Sequence, residues 1–188
     1  MDNKILFINA SLRDNSRTAE LSRCLIECLD GEVEEVDLYK EKLLPLDANG
    51  LKKRNQHDYS GAEFDLARQF ALADTIVISA PFWDLSFPSV LKVYFENVTV
   101  SGITFEYSKE GRPVGKCRAK KLYYVTTSGG FIGNNNFGFD YIKALANNFF
   151  GIEKVEFFSA EGLDIYGADV KGIMENAKNR IYEVMKND

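Results

Sequence analysis

The sequence is poor in the residues that build disulfide frameworks and metal centres. Its 188 residues include three cysteines, one histidine, four prolines and one tryptophan. An odd number of cysteines, without an apolar signal-peptide core, is typical of a reducing cytoplasm, so we expect a cytoplasmic protein. Cys24 and Cys28 share one predicted helix face, but His57 is the only histidine, so we predict packing and no metal site.

Long apolar runs and a surplus of basic charge are also missing. No stretch reaches the ~18 apolar residues of a membrane span, so we expect no membrane insertion. The formal net charge is −5 and no basic stripe is visible, so we expect no nucleic-acid partner. The chain lacks both the glycine-rich dinucleotide fingerprint and the glycine-lysine phosphate loop, which argues against Rossmann-type NAD binding and ATP hydrolysis.

What the sequence does contain is an alternation of apolar strands and amphipathic helices. Strands are predicted at 4–9, 33–38, 74–80, 121–127 and 155–159, and helices at 17–29, 62–73, 89–97, 140–149 and 169–185. Continuous apolar runs are typical of strands that are buried on both faces. We therefore predict an α/β fold in one domain over residues 1–188, with a doubly wound, five-stranded parallel sheet of order 2-1-3-4-5 and helices on both faces.

Two segments fall outside this alternation. Residues 39–60 lose all periodicity, which predicts a long surface loop. Residues 102–115 form a polar and aromatic insertion, in which residues 104–107 resemble one arm of a short hairpin.

Ligands of a doubly wound sheet bind at the carboxyl ends of its strands, so three loops are of interest. Residues 9–18 carry hydroxyls and two arginines before a helix, which favours phosphate binding or, alternatively, simple capping by Ser16. Residues 80–88 hold three aromatic side chains that could pack on a flat ring or be buried against the next helix. Residues 126–131 contain paired glycines, which allow close backbone approach to a ligand or form an ordinary turn.

These loops also resemble a known family. The segment SLRDNSRT resembles the phosphate loop of flavodoxin-like flavin reductases. The block from Pro81 to Gly130, with its proline loop, its Leu-Lys-x-Tyr-Phe helix and the motif GITFEY, resembles FMN-dependent NADH-azoreductases, also described as NAD(P)H:quinone oxidoreductases. The stretch FFGIEKVEFFSAEGLD continues the match, which is weakest between about residues 40 and 62.

The resemblance implies non-covalent FMN, reduction by NADH or NADPH, and transfer of two electrons to a quinone or azo compound in a ping-pong cycle. The flavin would carry this chemistry, so no side chain is expected to act as a catalytic acid or base. The positions that match the family's cofactor-binding residues are Ser11, Arg13, Ser16, Arg17, Thr18, Pro81, Phe82, Trp83, Asp84, Leu85, Thr127, Ser128, Gly129, Gly130 and Phe131. Tyr107 and Phe149 match aromatics that frame the substrate slot, the latter expected from the second subunit of a homodimer.

Three positions depart from the family pattern and bear on substrate preference. Asp84 stands where asparagine is common, Ser128 where a larger basic residue is usual, and Phe131 where histidine is frequent. The alternatives are a flavodoxin-type electron carrier, a non-redox binding module on the same fold, and a general NAD(P)H-dependent reductase of FMN or nitro compounds.

Overall fold

A computed structural model describes residues 3–187 and follows the predicted alternation of strands and helices. The strands are β1 (Lys4–Asn9), β2 (Glu32–Asp37), β3 (Thr75–Ser79), β4 (Phe105–Tyr107), β5 (Pro113–Gly115), β6 (Lys121–Thr127) and β7 (Lys154–Ala160). The α-helices are α1 (Arg17–Ile26), α2 (Ala48–Asn55), α3 (Asp65–Leu72), α4 (Ser89–Val98), α5 (Phe137–Leu145) and α6 (Val170–Met185). Five strands pair in parallel in the order β2-β1-β3-β6-β7, which confirms the doubly wound sheet.

The central strands are buried on both faces, since successive side chains of a strand point to opposite sides of the sheet. On β1, Ile5 and Phe7 belong to a core that includes residues of α1 and α6. Leu6 and Ile8 belong to a second core with α3, α4 and α5. This two-sided burial explains why the strand sequences show continuous apolar runs.

The segment between β2 and α3 corrects the prediction of an irregular loop, because it contains helix α2. Asp47 caps this helix by accepting the Gly50 backbone N–H at 2.7 Å. All eight residues of α2 are exposed or half-buried, so the sequence has no apolar stripe that would predict this helix. Arg54 docks the segment on the end of α4, where its guanidinium donates to the carbonyls of Glu96 at 2.9 Å and Asn97 at 3.4 Å.

Two predicted helix boundaries were also wrong. The helix expected at 140–149 begins at Phe137, because Asn136 caps it by accepting the Phe139 N–H at 2.9 Å, and it closes with a π-helical turn, Ala146–Phe150. The helix expected at 17–29 ends at Ile26, because the N–H groups of Cys28 and Leu29 bond only three residues back, to Leu25 and Ile26. The helix expected at 62–73 does begin at Ala62, as a 3-10 turn that becomes α-helical from Asp65.

Strands β4 and β5 form an antiparallel hairpin at the amino ends of the parallel strands, as backbone hydrogen bonds around it show. Lys120 N–H donates to the carbonyl of Asp74, directly before β3, at 3.3 Å. Gly115 lies against the turn that precedes β7, where an added Cβ would be 2.1 Å from the Gly151 nitrogen and 2.4 Å from the Phe150 oxygen. Only glycine allows this approach, so it fixes the hairpin to the end of α5.

Candidate functional site at the carboxyl edge of the sheet

The three loops identified in the sequence meet at the carboxyl ends of β1, β3 and β6, and hydrogen bonds join them. The hydroxyls of Thr18 and Thr127 lie 2.5 Å apart and are buried, which ties α1 to the end of β6. Phe82 N–H donates to the Thr127 carbonyl at 3.0 Å, which ties the aromatic loop to the same strand. Ser11 follows β1, and its Oγ lies 3.4 Å from that of Ser79 at the end of β3.

The loop before α1 presents unpaired donors. Ser16 is the N-cap of α1, and its Oγ accepts the Ala19 N–H at 3.2 Å. Within the described chain, the backbone N–H groups of residues 12–15 donate to no protein acceptor. A helix N-terminus with free N–H groups attracts anions, so this loop favours a phosphate or carboxylate group. The capping role expected of Ser16 as the alternative is present, and its hydroxyl hydrogen is still free to donate elsewhere.

The aromatic loop folds into a tight two-residue turn beside the cleft. Trp83 N–H donates to the Ser86 carbonyl at 3.0 Å, and Ser86 N–H donates to the Trp83 carbonyl at 2.7 Å. The two residues between them, Asp84 and Leu85, both have left-handed backbones, with φ of 49° and 67°. Aspartate tolerates this region better than leucine, for which it costs roughly 1–2 kcal/mol, so the turn is held under strain.

The glycine loop extends the β6–β7 ladder beyond the strands. Gly162 N–H donates to the Gly130 carbonyl at 3.1 Å, and Leu163 N–H donates to the Ser128 carbonyl at 3.1 Å. The Ser128 hydroxyl turns inward and donates to the Gly130 carbonyl at 2.6 Å. Phe131 is 79% exposed at the end of this loop. The loop after β7 therefore contributes to the same edge, although sequence reasoning had singled out only three loops.

A cleft of about 300 Å³ lies between these loops, a volume at the lower end of the range for small-molecule sites. The predicted cofactor residues that line it are Arg13, Ser16, Arg17, Thr18, Pro81, Phe82, Trp83, Thr127, Ser128 and Gly129. The predicted cofactor residues outside its lining are Ser11, Asp84, Leu85, Gly130 and Phe131. Sequence reasoning missed four lining residues, Leu12, Asn15, Leu163 and Asp164. The last two follow β7, and the rule that ligands bind at the carboxyl ends of strands could have found them.

Tyr107 and Phe149 do not reach the cleft of their own chain. Tyr107 packs on Phe105 with ring centroids 5.3 Å apart, and Phe105 packs on Phe149 at 5.1 Å. This aromatic column belongs to the hairpin and the end of α5, at the amino edge of the sheet. The length of β6, seven residues, separates the two edges by roughly 23 Å.

Neither membrane insertion nor metal binding is supported by a feature of the described chain. Within residues 3–187, no helix combines the length and apolarity that a bilayer crossing needs. In the same range, no three His, Cys, Asp or Glu side chains are grouped so that they could hold a metal ion.

The sheet order, with a polar cleft at the carboxyl edge, defines the class of flavodoxin-like proteins. A family model described as flavodoxin-like fold matches residues 3–185. The chain is 34% identical to an FMN-dependent NADH:quinone oxidoreductase of Clostridium perfringens, over 97% of this chain and 98% of that protein. It is 36% identical to a protein of the same name from Clostridium beijerinckii, over 98% and 99% of the two chains. The chain thus belongs to the family of FMN-dependent NADH:quinone oxidoreductases.

Solved structures support the same fold. The crystal structure of an azoreductase from Bacillus anthracis superposes with a TM-score of 0.86 at 23% identity, covering 99% of this chain and 100% of that one.

The hydroxyl, N–H and guanidinium donors around the start of α1 fit a phosphate group. Pro81, Phe82, Trp83 and Gly129 line the same cleft, so it offers both aromatic and backbone surface to a flat ring system. The residues present therefore fit FMN.

Proposed function

We propose that this chain is an FMN-dependent oxidoreductase that passes two electrons from NADH or NADPH to quinones or azo compounds. The observation that carries the proposal is the cleft itself, in which a phosphate-attracting helix N-terminus and an aromatic loop face one another at the carboxyl edge of the sheet. Membership of a family whose relatives are named for FMN, NADH and quinone supports the same conclusion. A cytoplasmic location stays a prediction from the cysteine count.

The phosphate would lie at the start of α1. There the Ser16 hydroxyl and the N–H groups of residues 12–15 would donate hydrogen bonds, and Arg13 and Arg17 would neutralise charge. Both arginine residues are exposed and line the cleft, so their side chains can reach a ligand without leaving a buried position.

The ring system would lie between the aromatic and glycine loops. When bound, FMN supplies the two-electron chemistry between the nicotinamide donor and the acceptor. The chain's contribution would be to orient the ring against Phe82 and Trp83, and to direct the backbone N–H of Gly129 toward the edge that gains negative charge on reduction. Donor and acceptor would occupy the same slot in turn, which is the basis of the proposed ping-pong order.

The substrate-framing aromatics require a second subunit, because Tyr107 and Phe149 lie about one sheet length away from the cleft of their own chain. An apolar stripe connects the two ends. Phe137 at the carboxyl edge is 57% exposed, and Tyr141, Leu145 and Phe149 follow at intervals of four residues, each half-buried. A partner packed in antiparallel direction along this stripe would bring its aromatic column to this cleft and cover an apolar surface.

The experiment is complementation between two defective subunits. Ser16→Glu places a carboxylate where the phosphate would bind, and Tyr107→Ala removes the aromatic at the other end. The two variants are co-expressed with different affinity tags, and mixed dimers are isolated by both tags. Each mixed dimer would contain one intact site and one doubly defective site, so we expect about half of wild-type quinone reductase activity per dimer.

The matched control is a mixed dimer of wild type with the Ser16→Glu/Tyr107→Ala double variant. If the sites are shared between subunits, this control has no activity, because each of its two sites receives one defect. If each site is built within one chain, this control keeps half of the activity, and the mixed dimer of the two single variants has none. Ser16→Ala removes the same helix cap without adding charge, and it separates loss of stability from repulsion of phosphate. The shared site would be refuted if no mixed dimer could be isolated, and if light scattering showed a 21.2 kDa monomer that has full quinone reductase activity.

A further inference from the structure

The cleft contains an ion pair that a bound phosphate would have to disturb. Arg17, the first residue of α1, has its Nη1 3.1 Å from Oδ1 of Asp164. The same guanidinium nitrogen lies 3.5 Å from the Leu163 carbonyl. Both side chains are accessible, at 43% for Arg17 and 73% for Asp164, so the pair lies at the rim of the cleft.

The backbone fixes Asp164 at this rim. Its N–H donates to the Gly129 carbonyl at 2.9 Å, and the Leu163 N–H donates to the Ser128 carbonyl at 3.1 Å. Its Oδ2 occupies the space beside Gly129, only 2.5 Å from where a Cβ would lie. The backbone of Asp164 is therefore held at a constant position, and the longer, more flexible Arg17 side chain is the partner with more freedom to move.

The charge balance of the cleft shows what this carboxylate does. The charged side chains that line the cleft are Arg13, Arg17 and Asp164, so one acidic group offsets one of two basic groups. A guanidinium that is bonded to a carboxylate has fewer N–H donors to offer a phosphate, and the carboxylate also repels the phosphate charge.

We propose that Asp164 competes with the phosphate of FMN for Arg17, and that this competition determines how strongly the cleft distinguishes FMN from riboflavin. This inference rests on the proposed cofactor site. Riboflavin has the same ring and no phosphate, so the competition acts on FMN alone. Asp164 thus limits the affinity for FMN through Arg17.

The test is the ratio of the riboflavin Kd to the FMN Kd, measured by flavin fluorescence on the full chain after removal of bound flavin. In Asp164→Asn we expect FMN to bind about fivefold more tightly, the effect of one exposed ion pair, and riboflavin to bind as in the parent. The dependence of the FMN Kd on salt should also steepen, because the net charge of the lining side chains increases by one. Arg17→Gln should reduce the effect of Asp164→Asn to the part that comes from direct repulsion between carboxylate and phosphate, as a double-mutant cycle would show.

The matched control is Asp65→Asn, which removes the same charge from another Asp–Arg ion pair, the one between Asp65 and Arg68 on α3. We expect this variant to leave the Kd ratio unchanged. An Asp164→Asn ratio equal to the parent's, or weaker FMN binding, would overturn the competition; the second result would mean that Asp164 positions Arg17 for the phosphate. A parent chain that does not discriminate FMN from riboflavin would instead refute the phosphate site itself.

Discussion

Gly115 offers the sharpest test of whether the hairpin belongs to the reaction site. An alanine there would place its Cβ 2.1 Å from the Gly151 nitrogen, whereas contacts under 3.0 Å essentially never occur. The obstructing atoms are backbone, so no side-chain rotation relieves the overlap. The hairpin and the end of α5 must therefore move apart by roughly 1 Å, and such overpacking typically costs about 1–3 kcal/mol.

The consequences of Gly115→Ala should differ at the two ends of the sheet. The cofactor cleft lies at the opposite edge, so we expect the FMN Kd to change by less than about twofold. Displacement of the aromatic column by about 1 Å would misplace the partner's substrate, and we expect quinone turnover to fall by up to about 100-fold. The free energy of unfolding, from urea titration of the holoenzyme, should fall by about 1–3 kcal/mol.

The matched control is Gly111→Asn at the tip of the same hairpin. Its φ is 77°, a region that asparagine tolerates, and an added Cβ would have no atom within 4 Å. We expect parental turnover and stability there. Parental turnover in Gly115→Ala, combined with a clear loss of stability, would refute the assignment of the hairpin to the site; a matching loss of FMN affinity would refute the independence of the two ends.

Two further predictions concern a buried thiol and the strained turn. Burial raises the pKa of Cys117 from an ordinary value near 9 to about 12, so its contribution to stability is fully present below pH 9 and is lost as pH rises toward 12. Urea unfolding from pH 8 to 10.5 should show a decline of at most about 1.4 kcal/mol per pH unit from this group, and Cys117→Ala should have a shallower decline; equal slopes would contradict the burial argument. Asp84→Asn keeps the left-handed turn but removes a negative charge near the cleft, so we expect the flavin midpoint potential to rise by on the order of 20 mV in a dye-linked redox titration. An unchanged midpoint would show that the Asp84 carboxylate does not sense the flavin.

The sequence predicted the sheet and its ligand edge well, since both depend on local patterns. Continuous apolar runs such as Lys4–Asn9 mark strands that are buried on two faces, and the carboxyl-edge rule then selects the loops that follow them. Helix α2 was missed because its residues bury no apolar face, and its position depends on the contact of Arg54 with the end of α4. Periodicity carries no signal for a helix that is held by its cap and by polar contacts of its own Lys53 and Arg54 with distant residues.

The contacts that sequence could not supply are the long-range ones. Arg17 and Asp164 are 147 residues apart, and only the fold brings them to one rim. The placement of Tyr107, by contrast, could have been derived. Residues 102–115 follow helix α4 and precede strand β6, and in a parallel sheet such a segment lies at the amino edge, opposite the ligand.

The opposite placement of the two half-sites also restricts how copies of the chain can assemble. Each chain carries a cofactor cleft at one end and an aromatic column at the other, joined by the stripe that runs from Phe137 to Phe149. A head-to-tail arrangement would complete one site per contact, and it would either need a rotation that closes a ring or continue into a filament with an unmatched end on each terminal subunit. A two-fold arrangement completes both sites in a single closed interface, because the stripe that each subunit offers is also the one it covers. Under the proposed shared site, a closed two-fold dimer is the smallest assembly that completes every cleft.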